Sequence, residues 1–202
     1  MQQRFVTPRA YHTIMDVMDA IAIRRANRAF AGRPVEREKV AALLEAMRLA
    51  PSCNNNQPWR VVVCSRENLR SLKETLYRGN EWATAAPLIM AVTSKPSLDC
   101  RMNGGRDYYQ FSCGLAVGQM LLRATELGLT AHPIAGYDPV KVREACGIPS
   151  DYVVITLVIC GYPGEDTSLL TEKQLRQQKE RPERLPPSET FFDERWGEPF
   201  PE

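Results

Sequence analysis

The sequence predicts one α+β domain with a polar segment at each end. Several stretches have apolar residues at helical spacing, and the continuous apolar runs between them have the length of strands. The 202 residues are 44% hydrophobic and 25% charged, as in an ordinary globular domain. We therefore expect a core domain at 14–163, an N-terminal arm at 1–13 and a C-terminal extension at 164–202.

Residues typical of helix ends predict where the helices begin and end. Asp138 followed by Pro139 combines an N-cap with a proline at the first helical position. Ser65 and Asp107 are candidate N-caps for two earlier helices, and Gly128 is expected to end the second of these. Helices are thus predicted to begin near Thr13, Glu36, Ser65, Asp107 and Asp138.

Apolar runs place the strands. Arg60–Cys64 and Pro87–Thr93 are predicted strands, and the segment that leads into His132 is strand-like. Val153–Ile159 is the most hydrophobic run, which is typical of a central strand.

Composition argues against several classes of protein. The net charge of +2 is too small to indicate a nucleic-acid or anionic-membrane partner. The N-terminus lacks the apolar centre of a signal peptide, and no run is long enough to span a bilayer. The only histidines, His12 and His132, are far apart, which argues against a metal site.

Cysteine usage favours a reducing compartment. The six cysteines contain no C-x-x-C pair, and Cys64 and Cys160 lie in apolar runs where a thiol acts as a small hydrophobe. We expect reduced thiols and a cytoplasmic protein rather than a disulfide framework.

Two polar segments are candidates for ligand binding. Arg24, Arg25 and Arg28 lie within five residues, and converging guanidinium groups bind phosphate oxygens strongly. The same run also fits a solvated cationic helix end. The segment Ser52 to Gln57 offers amide donors and acceptors between two prolines, which suits a heterocycle but also fits an ordinary polar turn.

Two further segments are weaker candidates. The turn Pro133 to Gly136 contains small residues that let the backbone approach a planar ligand, although it also fits a plain connection to a capped helix. Arg184 lies in a charged tail, where a basic residue is usually solvated. The aromatic residues Phe191, Phe192 and Trp196 in that tail need a surface to cover, and a second subunit is the natural one.

In order along the chain, these segments resemble the nitroreductase family. The shared order is R-R-x-x-R, A-P-S-x-x-N-x-Q-P-W, P-I-x-G-[YF]-D-P, a strand ending in G-Y-P, and an R-L-P tail. The resemblance covers roughly residues 15–200, and Ala50 to Trp59 is its most specific part. It implies a mixed central β-sheet flanked by helices, an intertwined homodimer, and FMN at the dimer interface.

The resemblance also implies which residues bind the FMN phosphate and pyrimidine edge. Arg24, Arg25 and Arg28 match those ligands, and Arg184 matches the tail residue that reaches the phosphate. Ala26 stands where the family usually has Ser, so the chain lacks that hydroxyl but keeps the backbone N–H.

The isoalloxazine ring has its own implied contacts. Asn80 matches an asparagine at the ring, and the backbone of Pro133, Ile134, Ala135 and Gly136 matches the turn that faces N5. Cys53 stands where Ser or Ala is common. The flavin-contacting loop, usually donated by the partner subunit, is matched by Pro51, Ser52, Cys53, Asn55 and Gln57.

The implied activity is hydride transfer from NADH or NADPH through FMN to a nitroaromatic, a quinone or a similar acceptor, by a ping-pong mechanism. No catalytic acid, base or nucleophile is predicted, because the cofactor carries this chemistry. Reductive dehalogenation, enone reduction, flavin breakdown and redox-silent FMN binding remain open on the same scaffold. A nucleic-acid surface and a ligand-free structural dimer are the alternatives from other classes.

Overall fold

The computed structural model describes residues 15–101 and 103–201, so the predicted arm at 1–13 lies outside the described residues. The helices are α1 (Val17–Ile23), α2 (Arg37–Arg48), α3 (Glu67–Lys73), α4 (Tyr108–Glu126), α5 (Pro139–Cys146), α6 (Glu172–Lys179) and α7 (Pro187–Thr190). The strands are β1 (Arg60–Cys64), β2 (Leu88–Ser94), β3 (Thr130–Ile134) and β4 (Val153–Gly161).

The strands form one sheet in the order β1-β2-β4-β3. The predicted α+β class is confirmed, and β4 is central as its hydrophobic run predicted. Each neighbouring pair is antiparallel. The parallel pair that a mixed sheet requires is therefore not formed among the described strands.

Side-chain alternation along the central strands divides the core between the two faces of the sheet. Ile89 and Leu157 pack on one face, which α3 and α5 cover. Met90 and Val158 pack on the other, which α2 and α4 cover. Because β2 and β4 carry apolar side chains on both faces, they can only lie between two helical layers.

Helix ends follow the local sequence at some positions and depart from it at others. Asp138 caps α5 as predicted, its carboxylate accepting from the backbone N–H groups of Val140 and Lys141. Asp107 precedes α4 without a side-chain cap hydrogen bond. The prediction that Ser65 caps the next helix is wrong, because α3 begins one residue later with Arg66 at its N-cap position.

The C-terminal extension contains a helix that the polar composition concealed. Thr171 and Gln174 form a reciprocal capping box at the start of α6, in which each side chain satisfies the other's backbone N–H. Among the helices in the described part of the chain, none has the length and hydropathy to cross a bilayer.

The expectation of reduced thiols is wrong for two of the six cysteines. Cys53 and Cys100 form a disulfide across 47 residues of sequence, whereas Cys64, Cys113, Cys146 and Cys160 are free. The pairing arises because the loop before β1 and the loop after β2 meet at one end of these antiparallel strands. Cysteine usage therefore no longer argues for a reducing compartment.

A close backbone approach joins the C-terminal extension to the segment after α1. The N–H of Gly164 donates to the carbonyl of Ala29 at 3.0 Å. A Cβ at Gly164 would collide with the backbone of Phe30.

We expect Gly164→Ala to lower the free energy of unfolding by about 1–3 kcal/mol, because backbone atoms cannot rotate away as a side chain can. Gly32→Ala is the matched control, since nothing lies within 4 Å of a Cβ there. Denaturant unfolding of both variants checks this, and equal stability of the two would contradict it.

Candidate functional site

The arginine segment leaves α1 in extended conformation. The helix ends at Ile23, and Arg24 occupies its C-cap position with φ −53° and ψ 125°. Arg24 and Arg28 therefore do not share a helix face. They lie on a strand-like segment between α1 and the bridge at Phe30, where successive side chains point in different directions.

Helix α6 packs against this segment through hydrogen bonds. One terminal nitrogen of Arg25 donates to the carbonyls of Gln177 and Gln178, at 3.2 Å each. The backbone N–H of Arg28 donates to Oε1 of Gln178 at 2.8 Å. Arg181, just beyond α6, donates to the carbonyl of Ala22. Part of the tail is thereby fixed on its own chain.

The returning tail concentrates positive charge. Burial lowers the pKa of Arg24, and the nearby guanidinium groups of Arg181 and Arg184 lower it further. None of the ion pairs within the described residues includes any of these three arginines. Adjacent cations without a carboxylate partner make a site for an anion.

An aromatic stack lies against Arg28. The guanidinium of Arg28 lies 5.8 Å from the ring centroid of Trp82, and the rings of Trp82 and His132 stack with centroids 4.7 Å apart. Trp82 is fully buried, and burial lowers the pKa of Arg28. The indole links the arginine segment to β3.

His132 fixes the arginine segment from the other side. Its Nδ1–H donates to the carbonyl of Asn27 at 3.1 Å. Burial lowers the pKa of His132 to about 4, and the cations Arg28 and Arg24 act in the same direction. The ring is therefore neutral at physiological pH, and it orients the backbone rather than titrating.

The predicted ring-binding turn and Asn80 come together. The Asn80 amide nitrogen donates to the carbonyl of Gly136 at 3.0 Å, and the N–H of Tyr77 donates to the same oxygen at 3.0 Å. A Cβ at Gly136 would occupy the place of the Asn80 amide. This explains why glycine is needed at the end of the turn.

The loop from Pro51 to Pro58 is held by internal bonds. Asn54, Asn55 and Gln57 all have positive φ, at 48°, 56° and 47°. The hydroxyl of Ser52 accepts from the N–H of Gln57 at 2.9 Å, and the disulfide at Cys53 ties the loop to residue 100. Left-handed backbone in non-glycine residues persists where surrounding contacts determine it, and it is concentrated at functional sites.

The structure thus gathers the predicted site residues into two groups. The first group contains the residues near β3 and the tail: Arg24, Arg25, Ala26, Arg28, Asn80, Pro133, Ile134, Ala135, Gly136 and Arg184. The second group is the loop 51–57, which precedes β1 on the opposite edge of the sheet. Strands β2 and β4 lie between the edges, which are roughly 14 Å apart at about 4.8 Å per strand.

Several residues of the site were not predicted. Trp82, Gln178 and Cys100 gave no local signal, because each contacts a segment distant in sequence. Arg181 had one, since it lies three residues before Arg184 in the same basic tail. The capping box at Thr171 would have revealed α6 and its return to the arginines.

Comparison with known proteins identifies the family. The sequence profile described as "Nitroreductase family" matches residues 21–83 and 73–162. A protein of Archaeoglobus fulgidus, provisionally named NADH dehydrogenase/NAD(P)H nitroreductase, is 31% identical over 156 residues, which cover 75% of this chain and 87% of that protein. The chain belongs to the nitroreductase family, and it is an oxidoreductase by that membership.

Two further relatives extend the comparison. The 5,6-dimethylbenzimidazole synthase of Rhodospirillum rubrum is 28% identical over 193 residues, covering 83% of this chain and 92% of that enzyme. A crystal structure described as an oxidoreductase containing FMN superposes with a TM-score of 0.77 at 24% identity, covering 98% of this chain and 100% of that one. The latter shows the shared fold.

The neutral, buried His132 predicts a pH dependence of stability. Its folded-state pKa of about 4 lies below the ordinary value of about 6.5, so its contribution is complete above the ordinary value and is lost as the pH falls toward 4. We expect roughly 3 kcal/mol of destabilisation from this group. Denaturant unfolding across this range checks it, and His132→Phe should have a flatter profile. Equal slopes would contradict the assignment.

Proposed function

We propose that the protein is an FMN-dependent oxidoreductase that transfers hydride from NADH or NADPH to a nitroaromatic, a quinone or a similar small acceptor. The observation that carries this proposal is the return of the tail to the arginine segment: Arg181 donates to the carbonyl of Ala22, and the charges of Arg181 and Arg184 act on Arg24 without an ion-paired carboxylate among the described residues. Such a cluster suits a phosphate monoester, and FMN ends in one.

The rest of the first group fits the remainder of FMN. Asn80 and the turn ending at Gly136 offer amide and backbone groups to a flat ring, and the absence of a Cβ at Gly136 lets the Asn80 amide pack directly against the turn. When bound, FMN supplies the hydride-carrying chemistry. Arg25 would stabilise negative charge at the pyrimidine edge of the ring, and the backbone N–H groups of Ala135 and Gly136 would face N5.

A cavity beside the loop 51–57 suits the nicotinamide and the acceptor. It has a volume of about 440 Å³ and is lined by Cys100, Arg101, Arg106, Tyr108 and Tyr109 among others. One cavity that serves reductant and acceptor in turn predicts ping-pong kinetics.

We further propose a homodimer in which each ring site is completed by the partner's loop 51–57. The two groups of site residues lie on opposite edges of the sheet in one chain. The C-terminal extension exposes Phe191, Trp196 and Phe200 at 62%, 91% and 59%. A groove of about 1210 Å³ between α2, β1 and α3, with Val40 and Leu44 in its wall, would receive the partner's extension.

Absorbance spectroscopy tests the proposed activity. The protein should bind added FMN stoichiometrically, and anaerobic NADH or NADPH should bleach the flavin band, which an acceptor then restores. A protein that takes up FMN but is bleached by neither nicotinamide would contradict the reductase proposal. Flavin absorbance that is lost on reduction and never restored would favour flavin breakdown instead.

Arg24→Gln tests the phosphate site at one residue. Removing a charge-assisted hydrogen bond costs about 1.5–3 kcal/mol, so the dissociation constant of FMN should rise roughly ten- to a hundredfold. Arg70→Gln is the matched control, because the side chain of Arg70 is 91% exposed on α3. An unchanged dissociation constant in Arg24→Gln would remove Arg24 from the site.

Complementation tests the shared site. Arg24→Gln and Gln57→Ala impair different halves of one site, so each variant homodimer should bind FMN weakly. Mixing the two after partial denaturation should restore about a quarter of the wild-type sites, in heterodimers with one intact site. Flavin reduction in the mixture measures this, with sedimentation velocity as the check of assembly. No recovery in a mixture that has formed heterodimers would contradict a site shared between subunits.

A further inference from the structure

The disulfide between Cys53 and Cys100 joins two parts of the proposed site. Cys53 belongs to the loop 51–57, and Cys100 lines the cavity of about 440 Å³. Both cysteines are half-buried, and Cys100 lies in the wall of the cavity. A partly exposed disulfide is more open to exchange with thiols than a shielded structural one.

Polar groups surround the disulfide. The amide nitrogens of Asn54 and Asn56 lie 3.5 Å and 3.7 Å from Sγ of Cys100. N–H donors at these positions stabilise negative charge on the sulfur. Such donors suit a disulfide whose sulfur becomes a thiolate during exchange. A permanent crosslink does not need them.

Asp99 adds a carboxyl group to the same cluster. Its Oδ1 accepts from the N–H of Cys100 at 2.8 Å and from the Asn56 amide at 3.2 Å. Its Oδ2 is buried and has no hydrogen-bond partner among the described residues. The two sulfurs and a carboxylate oxygen of Asp99 lie within 4.8 Å of one another. A buried carboxylate oxygen without a partner is costly unless it has another task.

The remaining cysteines lie outside this cavity. Cys113 and Cys160 are fully buried, and burial raises their pKa values to about 11 and about 12. Cys64 lines the groove between α2, β1 and α3. The thiols of Cys64 and Cys146 are hydrogen-bonded, with their sulfurs 3.8 Å apart, and form no disulfide.

We propose that Cys53–Cys100 is a reactive disulfide that exchanges with small dithiols and disulfides entering the cavity. A thiol of the dithiol loses its proton to solvent, and its thiolate attacks Sγ of Cys100. The bond between the two cysteines breaks, and the Cys53 thiolate takes a proton from solvent. The second thiol then resolves the mixed disulfide and releases Cys100, which takes that thiol's proton through solvent. The dithiol loses two electrons and two protons, and the cysteines gain both.

The exchange would break and re-form the covalent link between the loop 51–57 and residue 100. When Cys53 is released, the loop loses its covalent link to residue 100 and keeps its internal hydrogen bonds and those of Asn54 and Asn56 to residues 99 and 100. This consequence rests on the proposed function, because it affects the flavin only if the loop binds it. The exchange chemistry itself does not depend on FMN.

Thiol counting on the wild-type protein is the primary test. After treatment with oxidised glutathione, denatured protein should alkylate at four cysteines, the four that are free in the structure. Dithiothreitol added to the native protein should expose two more. Excess reduced glutathione should leave its adduct on Cys100, located by peptide mass spectrometry. Six thiols after oxidation, or a disulfide that is reduced only after denaturation, would overturn the proposal.

FMN titration tests the consequence for the loop. The dissociation constant should be higher for reduced than for oxidised wild-type protein, and Cys100→Ser should show the reduced value with or without dithiothreitol. Equal dissociation constants in both redox states would show that the disulfide does not control FMN binding by the loop 51–57. Failure to bind FMN in either state would contradict the proposed function and leave the thiol count to decide the exchange.

Discussion

The hydrogen bonds between α6 and the arginine segment are the interaction on which the site depends. The backbone carbonyls of Gln177 and Gln178 accept from the guanidinium of Arg25, and Oε1 of Gln178 accepts from the backbone N–H of Arg28. Without these bonds, repulsion would drive Arg181 and Arg184 away from Arg24. Burial lowers the pKa of Arg24, as do the nearby charges of Arg181 and Arg184, and a bound phosphate would relieve the repulsion among these cations.

The sheet and much of the helical framework follow from local sequence. Val153–Ile159 is a continuous apolar run, which has few solutions other than a buried strand, and Asp138 with Pro139 marks a helix start without reference to the rest of the chain. The hydrophobic pattern does not predict helix α6, because the helix buries no residue. Its stability comes from a cap and from hydrogen bonds to a distant segment, and apolar periodicity does not detect either.

Sequence motifs suggested part of the candidate site but not the way its residues are grouped. The motifs identified the arginines, the asparagine loop and the glycine turn. The separation of the loop from the other residues follows from strand order, which no local pattern encodes. The contact of Trp82 with His132 and the bond between Cys53 and Cys100 likewise join residues about 50 positions apart. Such pairs meet only after the sheet has formed.

Two of the three tryptophans lie in opposite environments and can serve as separate optical reporters. Trp82 is 1% exposed beneath Arg28, whereas Trp196 is 91% exposed in the C-terminal extension. A buried indole emits at shorter wavelength than a hydrated one, and a stacked histidine or a guanidinium alters its quantum yield. Burial of the extension would therefore shift the red component of the fluorescence, while events at the arginines would change the blue component.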